Sequence, residues 1–246
     1  MIQKTSEKKY QLINDILNKF AKHLYKYSLS LGRRSDKLNQ HRLWSNEELA
    51  KFGNLCRGSV CNVSGWKDSA RDGTAARYRD YFPGCTSYTV TNYPGERGYD
   101  ELELDTQQIP LDVTKPLPPE LVSRFDVVFN HTTLEHVYEI EVASETLSRM
   151  TKDLLIVIVP FMQEQHFDDG SYGDYWRFTP MAVCRLFQKN GVTPLYVTAN
   201  DSQPWYPIYI FYIGSKQPDR WRSHFNFDVD YALRHKTGSV LGYWKK

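Results

Sequence analysis

Apolar positions along the chain first follow a helical period and then break into short runs. From Lys8 to about Leu31, the residues Leu12, Ile13, Ile16, Leu17, Phe20, Leu24 and Tyr27 recur at steps of three and four, which predicts one amphipathic helix. A Gly-Arg-Arg-Ser-Asp link (32–36) follows, and a second helix is expected through Ser45–Phe52. Beyond it, short apolar runs alternate with helical patterns. Strands are expected at Ser59–Val63, Ser87–Thr91, Ile109–Val113, Phe125–Phe129, Leu154–Pro160, Leu195–Thr198 and Ile208–Ile213. Helices are expected near Ala75–Tyr81, over Thr133–Met150, and from Thr179-Pro180 to Asn190-Gly191, where Pro suits the first turn and Gly the C-cap.

Strands alternating with helices imply an α/β fold, a doubly wound, mostly parallel seven-stranded sheet with its last two strands antiparallel at one edge. The Leu154–Pro160 run is too short to cross a bilayer, so it reads as sheet core buried on both faces. Three parts are expected: a basic helical cap over 1–52, the sheet domain over 53–215, and an aromatic extension over 216–246 packed on it.

With 41% hydrophobic and 14% aromatic residues in 246, a disordered chain is excluded. The net charge of +2 is too balanced for a nucleic-acid coat. Yet residues 1–43 carry ten Lys or Arg and three acids, so the first helix is a distinct basic segment. Its simplest reading is a cap with its lysines in water; peripheral docking to an anionic membrane or a partner protein is the alternative. Cys56, Cys61, Cys85 and Cys184 form no CxxC pair, which predicts reduced thiols. With no signal-peptide pattern at the N-terminus, a cytoplasmic location is expected.

Ligands of open parallel sheets sit outside the carboxyl ends of the strands, so the residues just after each strand hold the candidate chemistry. Here they are Asn62-Val-Ser-Gly65, Asn92-Tyr-Pro-Gly95, Asp112-Val-Thr, Asn130-His-Thr-Thr and Phe161 through Arg177. Together with Arg124-Phe-Asp-Val-Val-Phe-Asn-His-Thr-Thr-Leu-Glu-His-Val137 and Asp174-Tyr-Trp-Arg-Phe-Thr-Pro180, these pieces resemble, over roughly 55–215, the class I methyltransferases that use S-adenosylmethionine. The resemblance implies S-adenosylmethionine as cofactor, held by Asn62, Ser64, Gly65, Asn92, Asp112, Asn130 and His131. It also departs from the family: the first loop usually reads acid-x-Gly-x-Gly-x-Gly, whereas here Asn62 replaces the acid, Ser64 replaces the first glycine, and Gly65 is followed by Trp66-Lys67-Asp68. Asn92 stands where an acid usually meets the ribose.

The resemblance implies methyl transfer to a hydroxyl or other oxygen of a small polar acceptor, in a branch frequent among bacterial enzymes of surface-sugar and small-metabolite methylation. No nucleic-acid partner is expected. His166 suits a general base at neutral pH, with His131 second, and Asp174 and Arg177 either place the acceptor or pair to orient their loop. No metal is expected: Glu135 and His136, with His166 as a third group, lack a second acid for an octahedral site, and helix-start capping and packing explain the pair more simply. The tail aromatics Trp205, Tyr206, Tyr209, Trp221, Phe225 and Phe227 read chiefly as core. The alternative to an enzyme is an accessory protein that keeps the fold and docks through its basic helix.

Overall fold

The most apolar run of the chain becomes the centre of the sheet. In a computed structural model, which describes residues 13–14, 16–24, 27, 40–70, 77–95, 106–169, 172–200 and 208–225, the strand β5 spans Thr151–Pro160. Leu155, Val157 and Val159 face one core and Leu154, Ile156 and Ile158 the other, all 3% exposed or less. Burying each such side chain contributes about 1.5–3 kcal/mol relative to leaving it in water.

Around it lie β1 (Gly58–Val63), β2 (Cys85–Asn92), β3 (Gln107–Pro110), β4 (Phe125–His131), β6 (Thr193–Ala199) and β7 (Tyr209–Ser215), in the order β3-β2-β1-β4-β5-β7-β6. β1, β2, β3, β4 and β5 run parallel; β7 is antiparallel to both β5 and β6. The order reverses between β1 and β4, so a ligand crevice belongs at the ends of those two strands.

The chain forms two compact units, 1–40 and 41–246. In the first, the described residues of helix α1 (13–14, 16–24 and 27) expose Ile13, Ile16, Leu17, Phe20, Leu24 and Tyr27. In the second, helices α3 (Ile140–Met150) and α4 (Pro180–Gln188) bring Leu147 and Phe187 to one core, and α2 (Gln40–Gly53) brings Leu49 to the other. Thr179 caps α4 by accepting from the Ala182 N–H, with Pro180 in the first turn. A last helix, α5 (Pro218–Trp221), buries Trp221, whose indole N–H donates to the buried Asp153. All four cysteines are free, and no helix among the described residues is long and apolar enough to cross a membrane.

Three expected helices differ. α2 begins at Gln40, ahead of Ser45. The expected helix over Thr133–Met150 is a 3-10 turn at Leu134–His136 followed by α3. The reason is local: the Glu135 carbonyl is taken by the N–H groups of Tyr175 (2.7 Å) and Trp176 (3.2 Å), so it cannot close a helical turn. Near Ala75–Tyr81 the described part is a 3-10 turn, Tyr78–Tyr81. Trp205, Tyr206, Phe227 and the 226–246 part of the expected 216–246 extension lie outside the described residues, whereas Tyr209 and Trp221 are core and Phe225 packs against it.

Candidate active site

Three ties fasten the loop after β1 to the end of β2. Gly65 N–H donates to the Thr91 carbonyl, Ser64 N–H to Thr91 Oγ1, and Trp66 N–H to Asn92 Oδ1 at 2.7 Å. Asn92 Nδ2 returns a bond to the Trp66 carbonyl at 3.0 Å. Asn92 is fully buried, and both ends of its amide hold the loop rather than facing outward as a ribose partner would. Asn62 is also turned inward: Nδ2 donates to Asp68 Oδ1, which accepts the Tyr88 hydroxyl as well, both at 2.7 Å. Burial pushes the Asp68 carboxyl up against the pull of those bonds and of the Arg79 N–H.

Ser64, Trp66 and Asp68 adopt φ of 53°, 51° and 57°. These are the three positions where the resembled motif has glycine. The loop therefore keeps a left-handed backbone without the residue that adopts it freely, at about 1–2 kcal/mol per position. Gly65 occupies an x position, and it has its own reason to be glycine: a Cβ there would lie 2.5 Å from Asn62 Nδ2. Ser64→Gly is expected to stabilise the protein by about 1 kcal/mol, read as an upward shift in urea midpoint; an unchanged or lower midpoint would mean the hydroxyl makes bonds that outweigh the strain.

The end of β4 is roofed by α2. His131 Nδ1 lies 3.0 Å from Arg42 Nη1, which donates, and His131 Nε2 lies 3.0 Å from Ser45 Oγ. Ser45 Oγ gives its own hydrogen to the Arg42 carbonyl, so it accepts from His131 Nε2–H. Both ring nitrogens are thus engaged, which leaves His131 no lone pair for a base. Arg42 also donates to the Tyr78 hydroxyl (2.7 Å) and lies over the Tyr209 ring. Asn130 Nδ2 donates to the Val63 carbonyl, while its buried Oδ1 has no hydrogen-bond partner. Asp112 uses Oδ1 to hold the backbone and hydroxyl of Thr114.

His41, beside Tyr209 at a ring separation of 4.7 Å, has its pKa lowered to about 4 by burial and by the neighbouring Arg42. An imidazole kept neutral by folding binds its proton more readily when unfolded. Stability should therefore fall as pH drops from 6.5 toward 4, and His41→Phe should reduce the slope of unfolding free energy against pH in that window by up to one proton's worth, about 1.4 kcal/mol per pH unit, read from urea denaturation at several pH values. Equal slopes would place the acid sensitivity elsewhere.

The loop after β5 forms the other wall. Arg177 grips Asp174 through two bonds of 2.6 Å and donates to the carbonyls of Gln163, Glu164 and Trp176. Those bonds use all five of its N–H groups, so the pair orients its own loop and has no donor left for an acceptor. Burial opposes ionisation of Asp174, but Arg177 and the His166 N–H hold its carboxyl below the ordinary range. His166 N–H donates to Asp174 Oδ2 at 2.6 Å, which sets His166 facing His136 with ring centroids 4.9 Å apart.

Between these walls sits Glu135, 0% exposed, with no hydrogen-bond partner on either carboxylate oxygen. Burial pushes its pKa up to about 8, although Arg177 and Arg42 both favour the charge. It caps nothing, contrary to the expectation from sequence. Arg42, Ser45 and Tyr78 are the site residues that the sequence reading missed; their only trace in the sequence is polar character on a helix and a turn.

No protein-family model and no curated protein matches the sequence. Solved structures do. The methyltransferase in a Haloferax volcanii complex with the Trm112 methyltransferase activator is 12% identical with a TM-score of 0.53, over 74% of this chain and 92% of that one. An S-adenosylmethionine-dependent methyltransferase from Clostridium acetobutylicum is 10% identical with a TM-score of 0.51, over 76% and 97%. A sarcosine dimethylglycine methyltransferase from Galdieria sulphuraria is 11% identical with a TM-score of 0.51, over 72% and 84%. With seven strands in the order 3-2-1-4-5-7-6 and the last pair antiparallel, the chain has the fold of the class I S-adenosylmethionine-dependent methyltransferases.

Proposed function

We propose that this chain is an S-adenosylmethionine-dependent O-methyltransferase whose acceptor is a hydroxyl or other oxygen of a small polar molecule, with a sugar of a bacterial surface glycan as the working class. The observation that carries the reading is the composition of the β4 end. A buried carboxyl and a buried amide oxygen stand there without partners, beside a guanidinium that meets no carboxylate within ion-pair distance among the described residues. Unsatisfied buried polar groups cost about 1–3 kcal/mol each, a cost that a scaffold has no reason to keep and a ligand offsets.

The residues present fit the amino-acid end of the cofactor. Asn130 Oδ1 is an acceptor for an ammonium, and Arg42 is a donor for a carboxylate. When bound, the cofactor supplies a methyl group on a positively charged sulfur. The chain's own part is to hold the acceptor oxygen in line with that methyl and to take its proton. His166 has the arrangement for the proton: Nδ1 faces the Glu164 carbonyl at 3.3 Å and so carries hydrogen, leaving Nε2 as the basic atom. The glycan acceptor is supported only by resemblance, carried by Leu134-Glu-His-Val137 together with the Asp174–Pro180 element.

A second reading, an accessory protein that keeps the fold and docks through its basic N-terminal helix, draws on the loop after β1, where Asn62 and Asn92 are spent internally and a tryptophan replaces a motif glycine. Calorimetry separates the two. Saturable heat with S-adenosylmethionine and with S-adenosylhomocysteine is expected; none at millimolar ligand would overturn the enzyme and leave the accessory protein.

A further inference from the structure

Glu135, His136 and His166 are brought together from two segments, and each presents a ligating atom to the others within 4.8 Å. His136 Nε2 is 3.7 Å from Glu135 Oε1. His136 Nδ1 lies 2.6 Å from the Gly173 carbonyl, and His166 Nδ1 faces the Glu164 carbonyl. A carbonyl only accepts, so both imidazoles carry their hydrogen on Nδ1 and offer the lone pair of Nε2. That second-neighbour arrangement, with the far ring nitrogen tied to a backbone oxygen, is the one that fixes a histidine for metal ligation. An edge-to-face contact of the rings explains their closeness, but it leaves the two partnerless oxygens of Glu135 unexplained.

We propose that Glu135 and the Nε2 atoms of His136 and His166 bind one divalent transition-metal ion. Two imidazole nitrogens and one carboxylate suit manganese, iron, cobalt, nickel or zinc. Magnesium and calcium favour all-oxygen sets. The frame is firm on both sides: the Glu135 carbonyl accepts from Tyr175 and Trp176, and Asp174, clamped by Arg177, accepts the His166 N–H. Three protein ligands leave positions for water or for oxygens of an acceptor. The inference rests on the proposed function only for the acceptor's place; the ion would turn His166 from a proton acceptor into a ligand, so its test reads metal and not turnover.

The test uses the full chain, purified without a histidine tag and stripped with chelator, titrated with Co²⁺ alone and followed by visible absorption, with Zn²⁺ as competitor. One Co²⁺ per chain is expected, with a spectrum of nitrogen and oxygen ligation. His136→Ala and His166→Ala should each weaken binding about tenfold or more while keeping the far-ultraviolet dichroism of the parent. Should Glu135→Gln fail to fold, these two variants still decide, since His166 is partly exposed. No saturable binding at millimolar Co²⁺ and Zn²⁺, or an affinity unchanged in both histidine variants, would overturn the proposal. Cofactor calorimetry on the same stripped protein stands or falls separately.

Discussion

Glu135→Met is expected to make the protein more stable, by about 1–3 kcal/mol in urea denaturation run in chelator at neutral pH. Methionine fills nearly the same volume with a flexible, apolar chain. It removes two buried oxygens that have no partner and a carboxyl that burial has pushed up to about 8. Stability given up at a site is a mark of function, so the same variant should lose whatever ligand the site takes. A loss of stability would show that both oxygens are solvated or paired in solution.

Asn92→Asp is expected to destabilise by roughly 2–4 kcal/mol, taking about 1–3 kcal/mol for each buried group left unpaired or repelled. The exchange looks restorative from sequence, since it returns an acid to the position that faces the ribose in the resembled family. In the structure, Nδ2 is the donor to the Trp66 carbonyl, and an aspartate would set a second oxygen against it. The Trp66 N–H bond would survive. An equally stable variant with tighter cofactor binding would mean that the side chain leaves Trp66 and turns outward.

The contrast shows what the sequence could and could not carry. β4 and β5 were legible because their apolar runs are buried on both faces. α2 was only half legible: Ser45, Asn46 and Glu48 are buried through bonds to His131, the Ala70 carbonyl and Tyr196, so its hydrophobic period understates how much of it packs. The break in the 133–150 helix depends on N–H groups some forty residues later, which no local window contains. The β1 loop misleads in the other direction. Its letters depart from the glycine pattern, yet the loop that Thr91 and Asn92 hold takes left-handed φ at Ser64, Trp66 and Asp68, the positions where that pattern has glycine. Of the site, the residue types of Glu135, His136 and His166 were visible, but not that the fold brings one nitrogen of each histidine close to a carboxylate that has no hydrogen-bond partner.

The roof that α2 places on His131 bears on the timing of any encounter. Arg42 and Ser45 occupy both nitrogens of that ring, so a molecule reaching the strand end must first unseat them. Each arrival becomes an exchange of partners instead of a simple collision. Association should then be slower than diffusion allows and steeply dependent on temperature, and whatever has settled there should be correspondingly slow to leave.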